Sequence, residues 1–239
     1  MVETLLIANR FNGPPRSGHG GYSCGILGRR FEGPAEVTLR TPPPLETAME
    51  LSEEDGELRL RDGETLVAEA RAVDDLELEV PQPVDLADAE AAREASPLHG
   101  EHPFRTCFVC GPDREPGDGL RIIAGPVSGR DDVIASPWEA GAGLPAEDGA
   151  LAPEIVWSAL DCPGGCSLVL APGIGTSMLG RMTARIDAPI EPGKTYVAIG
   201  WPIEHDGRKH LTGSAVLSLE GEPLAVAKAT WIELREPPA

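Results

Sequence analysis

One order of elements occurs twice along this 239-residue chain, and that repetition restricts the fold more than composition does. In the first pass a glycine-rich segment, 19–30, precedes strand-like runs at 35–41, 47–52, 57–61 and 65–73. The last three alternate apolar and polar residues and are separated by short turns at Glu54-Asp55-Gly56 and Asp62-Gly63, the pattern of antiparallel hairpins. In the second pass, strand-like runs at 120–124 and 132–136 lead to a helix at 153–162 and then to strands at 177–186, 195–203, 209–219 and 223–234. A helix followed by a meander, twice over, predicts a duplication at the level of fold, without a residue-level repeat to accompany it.

The halves are expected at 1–80 and 104–239, joined by a linker at 81–103 rich in Pro, Ala, Asp and Glu. Within the linker, 86–95 favours a short exposed helix, because Ala, Glu and Arg are good helix formers and no apolar stripe is present. Segment 140–150, rich in Gly and Ala, reads as a loop placed directly before the second helix, where a lid could sit.

The two helices differ in character. The first carries Gly20, Gly21, Gly25 and Gly28, each costing about 1 kcal/mol relative to alanine, so something must compensate. One explanation is close packing, since Gly21, Gly25 and Gly28 share a face; the other adds a chemical role for free amides at Gly20 and Gly21. The second helix starts well, with Pro153 in its first turn and Glu154 exposed beside the positive end of the dipole, and Pro163-Gly164-Gly165 should end or kink it. Asp161 then falls in the last turn of a mostly apolar helix, facing the negative end of the dipole, which raises its pKa. Such a carboxylate is either paired with a cation, Arg181 being one candidate, or placed for use.

Charge and composition exclude several classes. With 39 acidic against 20 basic residues the formal charge is −19, which makes nucleic acid an unsuitable partner. No apolar run approaches the roughly 20 residues of a spanning helix, and residues 1–10 lack the basic and apolar parts of a signal peptide, so a cytoplasmic protein without a membrane partner is expected. Nucleotide loops and a Gly-x-Ser-x-Gly elbow are absent from the sequence, and His205 and His210 flank a hairpin turn as solvent-facing residues.

Five cysteines without an export signal suggest thiols rather than disulfides. Cys107-x-x-Cys110 lies just downstream of His99 and His102, which could supply a zinc site. The histidines sit in a Pro-flanked linker at unsuitable spacing, so buried apolar thiols at the start of a strand are preferred over a zinc site or a redox dithiol, with no metal and no cofactor expected. Cys162 and Cys166 straddle the helix break and are read as packing residues.

Several of these motifs resemble the hot-dog thioesterase superfamily. His19-Gly20-Gly21 opening a helix ahead of a meander is similar to the start of the central helix in acyl-CoA thioesterases. Cys107-Phe108-Val109-Cys110-Gly111, followed by Gly119-Leu120, resembles a strand of phenylacetate-type thioesterases, and Ala159-Leu160-Asp161 matches the segment where superfamily members carry an acidic catalytic residue. The resemblance implies an α+β double hot-dog, two halves each with a long central helix wrapped by an antiparallel sheet. It also implies hydrolysis of an acyl-CoA or acyl-carrier thioester, with Asp161 as general base or nucleophile and Ser158 or Thr176 positioning water. His19, Gly20, Gly21 and Trp157 would contact substrate, the helix amides holding the oxyanion. The first helix has no acid, so at most one site per chain is expected, where the second helix faces the first half.

A coenzyme A substrate would need a local basic patch, for which Arg16, Arg29, Arg30, Arg181 and Lys194 are the candidates. Two alternatives stay open: a non-catalytic module binding acyl-CoA or a lipid-like ligand, and a structural partner that pairs through sheet edges. A monomer and a homodimer are both compatible with a fused pair of halves.

Overall fold

The computed structural model describes residues 3–171 and 173–236. The first half contains β1 (Glu3–Leu5), α1 (Gly20–Gly28), β2 (Ala35–Leu39), β3 (Met49–Glu54), β4 (Glu57–Asp62) and β5 (Thr65–Ala72). After α2 (Leu86–Glu94) come β6 (Gly125–Pro126), β7 (Ile134–Glu139), the small hairpin β8 (Ala146–Glu147) and β9 (Ala150–Leu151), and α3 (Pro153–Cys166). Four long strands close the chain: β10 (Ser177–Ile186), β11 (Thr195–Asp206), β12 (Lys209–Leu217) and β13 (Pro223–Glu233).

All strands but β8 and β9 join one 11-stranded sheet in the order β1-β3-β4-β5-β2-β10-β13-β12-β11-β7-β6. Every pairing is antiparallel, and the β2–β10 ladder, with Met182 opposite Val37, unites the strands of the two passes. Alternation along the strands sends Val37, Leu60, Ala68, Met182 and Ala227 into the core that encloses α1 and α3. These helices pack against each other, α1 also touching β2, β5 and β10 while α3 lies on β10 to β13.

The expected helix and meander order is therefore present twice, with differences. The helices are modest in length, 9 residues in α1 and 14 in α3, rather than long. Residues 120–124 form no strand, and Cys107 to Cys110 lie in consecutive turns rather than at the start of one. The linker helix α2 is not fully exposed: Ala89 and Ala92 are buried in a second cluster with Val197, Ile199 and Trp201 on the outer face of the sheet.

Helix α3 also runs on through Pro163 to Cys166 instead of stopping at Cys162. Tertiary packing explains the extension. The Pro163 carbonyl abuts Gly200 of β11, and the Trp231 ring lies so close to Gly165 that a Cβ there would approach it to 2.5 Å. The residues that should break the helix are the ones that let the sheet reach it.

Candidate active site

The α1–α3 contact builds the site. A Cβ on Gly21 would lie 2.5 Å from Asp161 Cβ and 2.6 Å from the Trp157 carbonyl, while Gly25 faces Glu154 and Gly28 the Trp157 ring at similar range. The glycine face of α1 thus admits α3 to near-backbone contact, which offsets its poor helix propensity. Of the two expected roles for these glycines, packing holds for Gly21, Gly25 and Gly28, and Gly21 has a second one: its amide donates to Asp161 Oδ2 at 2.6 Å.

Asp161 sits mid-helix rather than in a last turn, 3% exposed, and Arg181 is not its partner, being engaged with Thr38 and Glu36 on the sheet surface. Instead His19 Nε2 approaches Oδ2 at 3.3 Å. His19 is the N-cap of α1, and its Nδ1 accepts the Tyr22 amide, so the proton of the neutral ring resides on Nε2, which lies 3.3 Å from both Asp161 Oδ2 and Cys162 Sγ. Oδ1 of Asp161 has no hydrogen-bond partner among the described residues.

These surroundings set the electrostatics. Burial raises the Asp161 pKa to about 6, against the opposing pull of His19 and the Gly21 amide. Burial disfavours charge on His19, but Asp161 and Cys107 outweigh it and the ring ends above its ordinary value. Nearby, the Cys107 thiol is held well below the usual range by hydrogen bonds from Cys110 and Cys162, with His19 adding to the effect. Cys110 is pushed up chiefly by its bond to Cys107, and Cys162 chiefly by burial.

Asp161, His19 and Gly20 line a mainly apolar cavity of about 670 Å³. Its walls include Leu39, Pro43, Phe104, Leu168, Ile174, Leu179 and Trp231, with Thr176 also on the lining. Gly20, the first residue of α1, has its amide without an acceptor among the described residues and faces this space.

Other expected site residues fall elsewhere. Ser158 is fully buried and donates to the Glu154 carbonyl at 2.7 Å, and Trp157 packs over α1; neither lines the cavity. Glu154 is buried, not exposed, and pairs with Arg29 at 2.9 Å. Arg30 is paired with Glu3 and Lys194 with Glu191, whereas Arg16 is exposed beside the cavity-lining Pro14 and Ser17 and makes no ion pair among the described residues. The 140–150 segment contributes no lining residue. His210 is buried rather than solvent-facing, its Nδ1 3.1 Å from that of His205. The pairing of His19 with Asp161 was not legible beforehand, since nothing in a sequence signals an N-cap imidazole aimed across to another helix.

No helix is long and apolar enough to cross a membrane among the described residues. No family model and no curated protein matches the sequence. Solved structures do match. The chain is similar to a tesB protein of Mycobacterium avium subspecies paratuberculosis, with TM-score 0.63 and 11% identity over 98% of this chain and 93% of that one. It is similar to an acyl-CoA thioesterase II, TesB2, from Mycobacterium marinum, with TM-score 0.59 and 11% identity over 100% and 94%. A conserved protein of unknown function with hot dog fold from Alicyclobacillus acidocaldarius matches with TM-score 0.55 and 9% identity over 98% and 94%. At such identities the similarity carries the architecture and not the activity: the chain has the hot-dog fold.

Proposed function

We propose that this chain hydrolyses an acyl thioester in the cavity beside Asp161, with its strands arranged as two fused hot-dog halves, 1–80 and 104–239, about the linker. The observation that carries the reading is the state of Asp161. One carboxylate oxygen accepts from Gly21 and lies beside His19, the other is buried without a hydrogen-bond partner among the described residues, and Asp161 borders the cavity. A pKa near 6 leaves it mostly ionised at neutral pH yet basic enough to take a proton, as a general base requires.

In the proposed step the Asp161 carboxylate removes a proton from water as the water oxygen bonds to the thioester carbonyl carbon. The Gly20 amide supports the oxyanion, with Thr176 holding the water. Collapse breaks the C–S bond, the acid leaves, and the proton on Asp161 passes to the departing thiolate. His19 is a positioning residue, holding Oδ2 and the orientation of the carboxylate. The apolar wall accommodates the acyl chain. Arg16 at the rim supplies a cation for the phosphates of a coenzyme A or carrier arm, which the net charge of −19 would otherwise repel.

The similarity to proteins named as thioesterases supports this reading. The experiment that tests it is release of free thiol from a panel of acyl-CoA thioesters. Binding of the same compounds without turnover would favour a non-catalytic acyl-binding module instead.

A further inference from the structure

Four of the five cysteines meet in one place although they come from two distant parts of the chain: Cys107, Cys110, Cys162 and Cys166 all border the cavity, whereas Cys24 is enclosed within α1. The Cys107 and Cys162 sulfurs are 3.8 Å apart, and the Cys110 thiol adjoins those of Cys107, Cys162 and Cys166.

Two local devices bring the sulfurs together. In the Cys-x-x-Cys-Gly turn the Gly111 amide donates back to the Cys107 carbonyl at 3.0 Å. A Cβ on Gly111 would come within 2.5 Å of that same oxygen, so the turn requires glycine. On α3, the continuation through Pro163 puts Cys166 one helical turn after Cys162 and on the same face. The loop itself is anchored to the segment that precedes α1 and to the first turn of α1, the Phe108 amide donating to the Asn12 carbonyl at 2.8 Å and the Phe108 ring packing edge-on against Phe11 and Tyr22.

The Cys107–Cys162 spacing matches a particular ligand geometry. Four sulfurs at about 2.3 Å from a tetrahedral zinc ion stand roughly 3.8 Å from one another, the separation seen for Cys107 and Cys162. Two imidazoles complete the surroundings. His102 Nδ1 accepts the Phe104 amide at 2.9 Å, so its Nε2–H faces Cys110 Sγ at 3.2 Å. His19, capped in the same way by Tyr22, presents Nε2–H to Cys162 Sγ at 3.3 Å. An N–H directed at sulfur favours the thiolate form and offsets part of the excess negative charge of four thiolates on one dication.

His19 Nε2 also lies within 4.8 Å of the Cys107 and Cys162 sulfurs, as a ligand would. Its tautomer excludes that role, because a ligating nitrogen must be bare and this one carries the proton.

We propose that Cys107, Cys110, Cys162 and Cys166 bind a zinc ion in a closed site of four thiolates, with His19 and His102 as the outer N–H donors. Four protein ligands leave no position open to substrate, so the ion is structural. It ties the 107–111 turn to the end of α3 and steadies the helix that presents Asp161. The site does not rest on the hydrolytic reading, because it is read without substrate.

The test uses the full chain without a histidine tag, purified under reducing conditions. Metal content is measured by mass spectrometry, and cobalt(II) is then substituted and its absorption recorded. The expected result is about one zinc per chain and an intense thiolate-to-cobalt charge-transfer band with the visible bands of a tetrahedral ion. Cys110→Ser and Cys166→Ser should lose the zinc, and His102→Ala should weaken it roughly tenfold while sparing the fold. Cys24→Ser and Asp161→Asn should both retain zinc and the cobalt spectrum, so loss of metal and loss of hydrolysis are separable. A folded, reduced native chain that holds no zinc and shows no charge-transfer band with cobalt would overturn the proposal. So would a band that Cys110→Ser and Cys166→Ser leave unchanged.

Discussion

The amide of Gly21 meets Asp161 Oδ2 at 2.6 Å, so the first turn of α1 is at once the packing partner of α3 and the clamp on its buried acid. A side chain at 21 cannot be accommodated without moving Asp161 or the Trp157 carbonyl, neither of which is a flexible end. The contact between helices and the geometry of the carboxylate are one feature, and the consequences can be measured separately.

Gly21→Ala is expected to destabilise the fold by about 1–3 kcal/mol, the usual cost of overpacking a tight contact. Denaturant unfolding of the variant against the native chain checks this. An equal stability would mean that the two helices do not approach as closely as described.

Asp161→Asn is expected to raise thermal stability at neutral pH. The folded pKa of about 6 lies above the ordinary value of 3.8. The protonated carboxyl therefore favours the folded state, a contribution fully present below about pH 4 and lost as pH rises through about 6. Keeping Asp161 ionised at neutral pH then costs up to about 3 kcal/mol, which the amide does not incur. Melting temperatures of both proteins between pH 4 and 8 should diverge upward with pH. A constant gap would remove the burial argument.

The pH profile of kcat/KM should rise with pH through an acidic limb near 6 and level off above it, as expected for a base that must be ionised. A limb near 4 would show that the acting carboxylate is not buried.

His19→Asn keeps an N-cap acceptor but removes the imidazole beside Oδ2. Because His19 holds the Asp161 pKa down, its loss should move the acidic limb upward in pH, with kcat falling more than KM changes. A limb that stays in place would confine His19 to a structural role.

Much of the fold was legible in the sequence where hairpin alternation is strong: the strand expected at 177–186 is β10, and the last three strands deviate only at their ends. The helix end was not, because Pro163-Gly164-Gly165 stops an isolated helix, whereas here Gly200 and Trp231 pack into it. That misreading hid the site of four cysteines, since Cys162 and Cys166 share a face only if the helix continues. Asp161 itself was visible as an acid on an apolar helix, but its partners lie about 140 residues away in sequence, beyond the reach of local patterns. Ser158 and Trp157 looked equally available; their position on the helix turns them toward Glu154 and α1 instead.

The central claim is tested most directly by hydrolysis of acyl-CoA thioesters, followed as free thiol, in the native chain and in Asp161→Asn. Removal of the base should lower kcat by about 10²- to 10⁴-fold while the variant stays folded. Equal rates in the two proteins, or no hydrolysis of any acyl-CoA by the native chain, would contradict the account.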